Sequence, residues 1–89
     1  MAALFHLQIT VPDKVAYEGE VSSLVVPAQL GYLGVLAHHA PIIAQLKPGK
    51  ITLQDSLNKK IDFTLNSGGF LEFSSNKATL MLDSLEIPS

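Results

Sequence analysis

Phe5, Leu7, Ile9 and Val11 alternate with His6, Gln8 and Thr10. A period of two is what a strand with one buried face requires. Pro12-Asp13-Lys14 closes this segment with turn chemistry. Val15 and Tyr17 lead to Gly19, and a β-branched run over 21–26 follows, stopped by Pro27. Residues 33–36 read as a short strand or hairpin arm, and Ile42, Ala44 and Leu46 alternate in the next strand. In Lys47-Pro48-Gly49-Lys50, proline presets φ near about −65° and glycine supplies the positive φ that a type II turn needs. Ile51 and Leu53 run into a polar loop over 55–60. Ile61, Phe63 and Leu65 then alternate with Asp62, Thr64 and Asn66. Ser67-Gly68-Gly69 breaks that strand, 70–73 forms another, Ser74-Ser75-Asn76-Lys77 turns, and Ala78, Leu80 and Leu82 alternate onward. Short strands at this spacing predict an all-β sandwich or flattened barrel. No segment holds a helical period for the ~10 residues a helix needs.

Composition narrows the class. Eighty-nine residues make one domain, spanning 1–89. Charged residues are 16% of the chain, against about 25% in an average protein. Hydrophobic residues reach 47%, and in so small a domain part of that material is exposed, which marks a partner surface. All the basic residues are lysines, and the net charge is −2. Without arginine there is no bidentate reader of phosphate or guanine, so nucleic-acid binding is disfavoured. The absence of cysteine removes disulfides, thiolate metal sites and thiol nucleophiles. No run approaches the ~18 apolar residues of a membrane-spanning helix.

The candidate chemistry lies in Gly31-Tyr32-Leu33-Gly34-Val35-Leu36-Ala37-His38-His39-Ala40-Pro41. Two adjacent imidazoles suggest a metal or hydrolytic site. In a strand, however, neighbours point to opposite faces, and His6 is remote in sequence. Asn66-Ser67-Gly68-Gly69 lacks the first glycine of a nucleophile elbow. The acids fall in turns or on the polar phase of strands, and Glu18 and Glu20 share one strand face. Gly31 and Gly34 are not followed by a helix that could hold a phosphate. No catalytic residue, cofactor or metal site is expected. A histidine-dependent metal-binding or hydrolytic β-domain, and an unrelated β-sandwich adaptor, stand as alternatives.

Three blocks in order carry a resemblance: Gly31-x-Leu33-Gly34-Val35-x-x-x-His39-Ala40-Pro41, Leu46-Lys47-Pro48-Gly49, and Ser67-Gly68-Gly69-Phe70-Leu71-Glu72. Together with His6-Leu7 and Glu18-Gly19, they resemble the epsilon subunit of F-type ATP synthases over nearly the whole chain. The resemblance implies that subunit's N-terminal domain, a flattened ten-stranded β-sandwich without an active site. It implies a rotor role in the central stalk, with the gamma subunit and the polar loops of the c-ring as partners. It further implies coupling of ion translocation to ATP synthesis, on the cytoplasmic face of a bacterial membrane or the stromal face of a thylakoid. Residues 31–41 are expected at the c-ring end, with Gly31, Tyr32, His38 and His39 as contact candidates. Gly34, Pro41, Pro48, Gly49, Gly68 and Gly69 are expected to shape turns. Family members often carry an acid at the position of Tyr32 and glycine at that of His38, so the resemblance implies a contact resting on packing more than on an ion pair. Typical bacterial members also continue into a C-terminal helical hairpin that in some binds ATP, while other members are naturally short. With the sequence ending at Ile87-Pro88-Ser89, neither hairpin nor bound nucleotide is expected.

Overall fold

In the computed structural model, residues 3–86 are described. They form β1 (Phe5–Val11), β2 (Lys14–Ala28), β3 (Gly31–Leu36), β4 (Ile42–Leu46), β5 (Gly49–Asp55), β6 (Lys60–Leu65), β7 (Gly69–Ser74) and β8 (Lys77–Leu82). The expected alternation becomes pleat. Phe5, Leu7 and Ile9 of β1, Ile51 and Leu53 of β5, Leu71 and Phe73 of β7, and Ala78, Leu80 and Leu82 of β8 all turn inward and are buried. Phe5 and Phe73 meet edge to face at 5.5 Å between centroids, the geometry aromatic quadrupoles favour. The core contains no buried polar or charged residue among those described.

β1, β8, β7 and β4 lie side by side in one run, and β3, β2, β5 and β6 in another. β2 belongs to both. Its first half pairs with β1; its second half lies between β3 and β5. The change is made by a bulge between Val21 and Ser23. Val21 and Leu24 are both buried, which a strict period of two forbids, and an extra residue bends the strand and restores the phase. The ring of strands closes through Ala28↔Leu46 on one side and through a parallel β1–β8 pair, His6↔Lys77 to Thr10↔Met81, on the other.

Three expectations are corrected. The ten strands implied by the resemblance are eight among the described residues. β2 serves both runs as one continuous strand, and Glu86 makes a single bridge to Thr64 in place of a further strand. Ile87, Pro88 and Ser89 lie outside the described residues. Second, Gly19 and Pro27 do not interrupt β2. The Pro27 carbonyl accepts from Lys47 N at 2.9 Å, so Pro27 faces away from β3. Its missing N–H falls beyond the last β2–β5 pair, Val25↔Thr52, where no ladder bond is lost. Third, Lys47-Pro48-Gly49-Lys50 is not a type II turn, because Gly49 is absent from the positive-φ residues and already begins β5. Glycine is required there for closeness: a Cβ would stand 2.7 Å from Pro27 Cβ and 3.0 Å from the Tyr32 hydroxyl.

Candidate functional site

The candidate residues over 31–41 do not form one loop. Gly31 and Tyr32 open β3, and His38 and His39 follow its far end. Four residues of strand from Tyr32 to Leu36 alone separate them by about 13 Å.

At the first end, Gln29 and Leu30 form a two-residue hairpin tip between Ala28 and its partner Gly31. Gly31 takes φ 131°, a conformation L side chains rarely adopt. Leu30 is fully exposed at 104% and Tyr32 is 62% exposed. The Tyr32 hydroxyl accepts from Lys50 N at 3.2 Å. Gln29 N donates to the Gln45 carbonyl at 3.0 Å. Together with the Lys47 N to Pro27 O bond, these contacts fix the tip on the connection between β4 and β5. Beside it, a groove of about 360 Å³ runs between the edges of β3 and β4, lined by Leu30, Tyr32, Leu33, Ile42 and Ile43.

The other end is held by one side chain. His38 has φ 65°, and its N–H donates to Asn76 Oδ1 at 2.7 Å. Asn76 Nδ2 donates to the Leu4 carbonyl at 3.0 Å, and the Asn76 carbonyl accepts from His6 N at 3.3 Å. Ser75 and Asn76 are themselves left-handed, at φ 52° and 57°, as a two-residue type I′ hairpin needs. His39 N donates to the Leu36 carbonyl at 3.2 Å. Its Nδ1, protonated in the tautomer this contact requires, donates to the Ala40 carbonyl at 2.7 Å, and its ring meets Phe73 edge to face at 5.9 Å. Pro41 leads into β4, and His38 is exposed while His39 is half-buried.

The alternative chemistry finds no geometry. Among the described residues no group of three His, Asp or Glu is placed to hold a metal ion. His6, Glu18 and Glu20 do gather, but the imidazole spans the two carboxylates, Nε2 2.7 Å from Glu18 and Nδ1 2.7 Å from Glu20. Only the imidazolium can donate at both nitrogens, so the hydrogen bonds to Glu18 and then Glu20 raise the His6 pKa above its ordinary value. The His6 bond in turn lowers that of Glu18. The Ser67 hydroxyl pairs with Ser84 Oγ at 3.1 Å, not with a histidine. Of the remaining turn candidates, Gly34 lies within β3, Pro48 precedes β5, Gly68 precedes β7 and Gly69 opens it.

Sequence reasoning did not single out Leu30 or Asn76. An apolar residue between Gln29 and Gly31 was the available signal for the first. For the second it was asparagine in a turn, where its tolerance of left-handed φ is used.

Residues 4–88 match the family described as ATP synthase, Delta/Epsilon chain, beta-sandwich domain. The ATP synthase epsilon chain of Dichelobacter nodosus is 39% identical over 83 residues, covering 93% of this chain and 57% of that protein. The epsilon chain of Chlorobaculum tepidum is 40% identical over 79 residues and is covered over 89% of its length. The chain thus spans little more than half of the first relative and most of the second. A chain of the Euglena gracilis mitochondrial ATP synthase (OSCP/F1/c-ring, rotational state 1) superposes with TM-score 0.89 at 24% identity, over 98% of this chain and 55% of that one. That likeness is of fold alone. With the three sequence blocks in register and the family match spanning every strand, the chain belongs to the ATP synthase delta/epsilon chain β-sandwich family.

Proposed function

We propose that this chain acts as a non-catalytic rotor subunit of an F-type ATP synthase, bridging the gamma subunit and the loops of the membrane c-ring. The reading places it on the cytoplasmic side of the membrane or its stromal equivalent. The observation that carries it is the family match over 4–88, on a domain that exposes Leu30 and Tyr32 at one hairpin tip and Ile43, Phe70 and Met81 on one sheet face. Leu30, Gly31 and Tyr32 form the proposed ring contact. The outer face of β4, β7 and β8, where Ile43, Phe70 and Met81 are exposed, is the proposed gamma surface. Gln45↔Phe70 and Phe70↔Met81 are direct cross-strand pairs, so Phe70 and Met81 share a row with Gln45, and Ile43 lies one row along, opposite Glu72. A closed ring of strands with an apolar core resists shear between tip and face, and rigidity is what transmitting rotation requires. His38 and His39 enter this proposal as a second possible ring contact, at the opposite corner.

Co-expression with a gamma subunit and the rest of the central stalk tests the reading. A stoichiometric complex that loses affinity on Phe70→Asp, a change on an exposed position, is expected. Failure of any complex to form overturns it.

A further inference from the structure

The two edges of the β3–β2–β5–β6 run are treated differently. On β6, Lys60 and Asp62 put charges along the edge, and Thr64 exchanges both backbone hydrogen bonds with Glu86, at 3.4 and 3.0 Å. Edge strands are normally blunted in such ways, because free N–H and C=O groups template pairing with another chain. β3 has none of these devices. It pairs only with β2 among the described residues, and from Val21 to Leu46 the chain contains no lysine, arginine, aspartate or glutamate.

Register identifies the free groups. In an antiparallel pair, successive residues face alternately toward and away from the partner strand. The Pro27 carbonyl turns to Lys47 N, away from β3, so the pair Pro27↔Tyr32 is the kind that exchanges no ladder bonds. Gly31, Leu33 and Val35 therefore bond to β2, while Tyr32, Gly34 and Leu36 direct their N–H and C=O groups to the open edge. The Leu36 carbonyl fits this phase: it is taken by His39 N, outside the ladder. Ile43 of β4, which faces the same way as Gln45, borders the groove from the other side.

We infer that the open edge of β3 is a strand-addition site for an extended, uncharged segment of a protein partner, with Tyr32 and Gly34 supplying the backbone hydrogen bonds. Such pairing draws affinity from main-chain bonds and specificity from alternate side chains. A second copy of this chain is the poorer occupant. A six-residue strand buries far less than the ~800 Å² per partner that a stable free dimer needs, so the added strand must belong to a protein held by other contacts. The groove shares Ile43 with the proposed gamma surface, and the inference rests on that reading in taking gamma as the partner.

Amide hydrogen exchange, read residue by residue in the isolated protein and in its complex with gamma, tests it. In the isolated protein Tyr32 and Gly34 are expected to exchange freely while Leu33 and Val35 are protected. In the complex, Tyr32 and Gly34 should slow at least tenfold. A complex that forms with those two amides still free overturns the inference and leaves the rotor reading standing; no complex at all overturns both. Protection of Tyr32 and Gly34 in the isolated protein that rises with concentration assigns the edge to a second copy and also overturns it. Gly34→Pro removes one edge donor, and Gly34→Ala is its control, since a Cβ there meets nothing within 4 Å. Gly34→Pro should weaken gamma binding at least tenfold and Gly34→Ala should not. Should Gly34→Pro fail to fold, exchange on the unaltered protein decides.

Discussion

The two ends of β3 are built on opposite plans. At the Tyr32 end, backbone bonds, the Tyr32 hydroxyl and a close approach at Gly49 hold the hairpin, while Leu30 stands free in solvent and the Tyr32 ring is largely exposed. At the His38 end, the Asn76 side chain ties the β3–β4 connection to the segment before β1, and His38, Ser75 and Asn76 all adopt left-handed φ. Leu30 and the Tyr32 ring are thus available for a partner at the first end, whereas at the second the Asn76 and His39 side chains are occupied in holding the molecule together. The contrast separates residues that the opening motif runs together.

The largest effect is expected at the second end. Asn76→Ala removes two side-chain hydrogen bonds of about 1 kcal/mol each and places a Cβ-bearing residue without a local polar group in the left-handed region. Destabilisation of about 2–3 kcal/mol is expected, and a fall in Tm of roughly 10–20 °C. Asn76→Gly should recover the conformational part; a thermal melt of both variants shows whether the linkage or the φ matters more. Next comes Gly49→Ala at the first end. The clash with Pro27 should cost about 1–2 kcal/mol, and scanning calorimetry reads it directly. An unchanged Tm would mean that the tip is not held by this approach.

Leu30→Asp should leave stability within about 0.5 kcal/mol, as surface changes do, yet reduce ATP-driven ion pumping in reconstituted enzyme. His39→Ala, measured beside it, sharpens the comparison: if it uncouples more than Leu30→Asp at equal stability, the ring contact lies at the His38 end instead. The smallest effect belongs to His6. A raised folded pKa means its stabilisation is complete below the unfolded value near 6.5 and is lost as pH rises through the folded value. Glu18, lowered, adds its share above its ordinary value near 4.5 and loses it as pH falls through the folded value. The Tm difference between the parent and His6→Gln should therefore be widest between about pH 4.5 and 6.5 and shrink above. A difference that grows on the alkaline side contradicts the doubly bonded imidazolium.

Most strand positions were legible because alternation directly reports a half-buried pleat. Phe5 to Ile9 and Ile61 to Leu65 needed nothing else. What alternation could not report was continuity through Gly19 and Pro27, since the reason proline is tolerated lies in where β5 stops pairing. Gly49 was legible as an obligatory glycine but for the wrong physical cause, because steric closeness to Pro27 depends on a strand distant in sequence. The candidate site was legible as a motif and illegible as geometry. Gly31, Tyr32, His38 and His39 are neighbours in the chain, and only the strand between them sets them apart. Leu30 escaped notice because an exposed leucine and a buried one look alike until the hairpin is placed.

The parallel pairing of β1 with β8 has a consequence for the birth of the molecule. β1 is the first of the eight strands to be made, and its neighbour β8 is the last. Until β8 is made, one edge of β1 stays unsatisfied, and until β7 is made Phe5 lacks its Phe73 partner. Long-range closure of this kind slows folding and leaves partly built chains exposed to aggregation. The nascent domain cannot complete itself as it appears; it must wait, nearly whole, for its end to find its beginning.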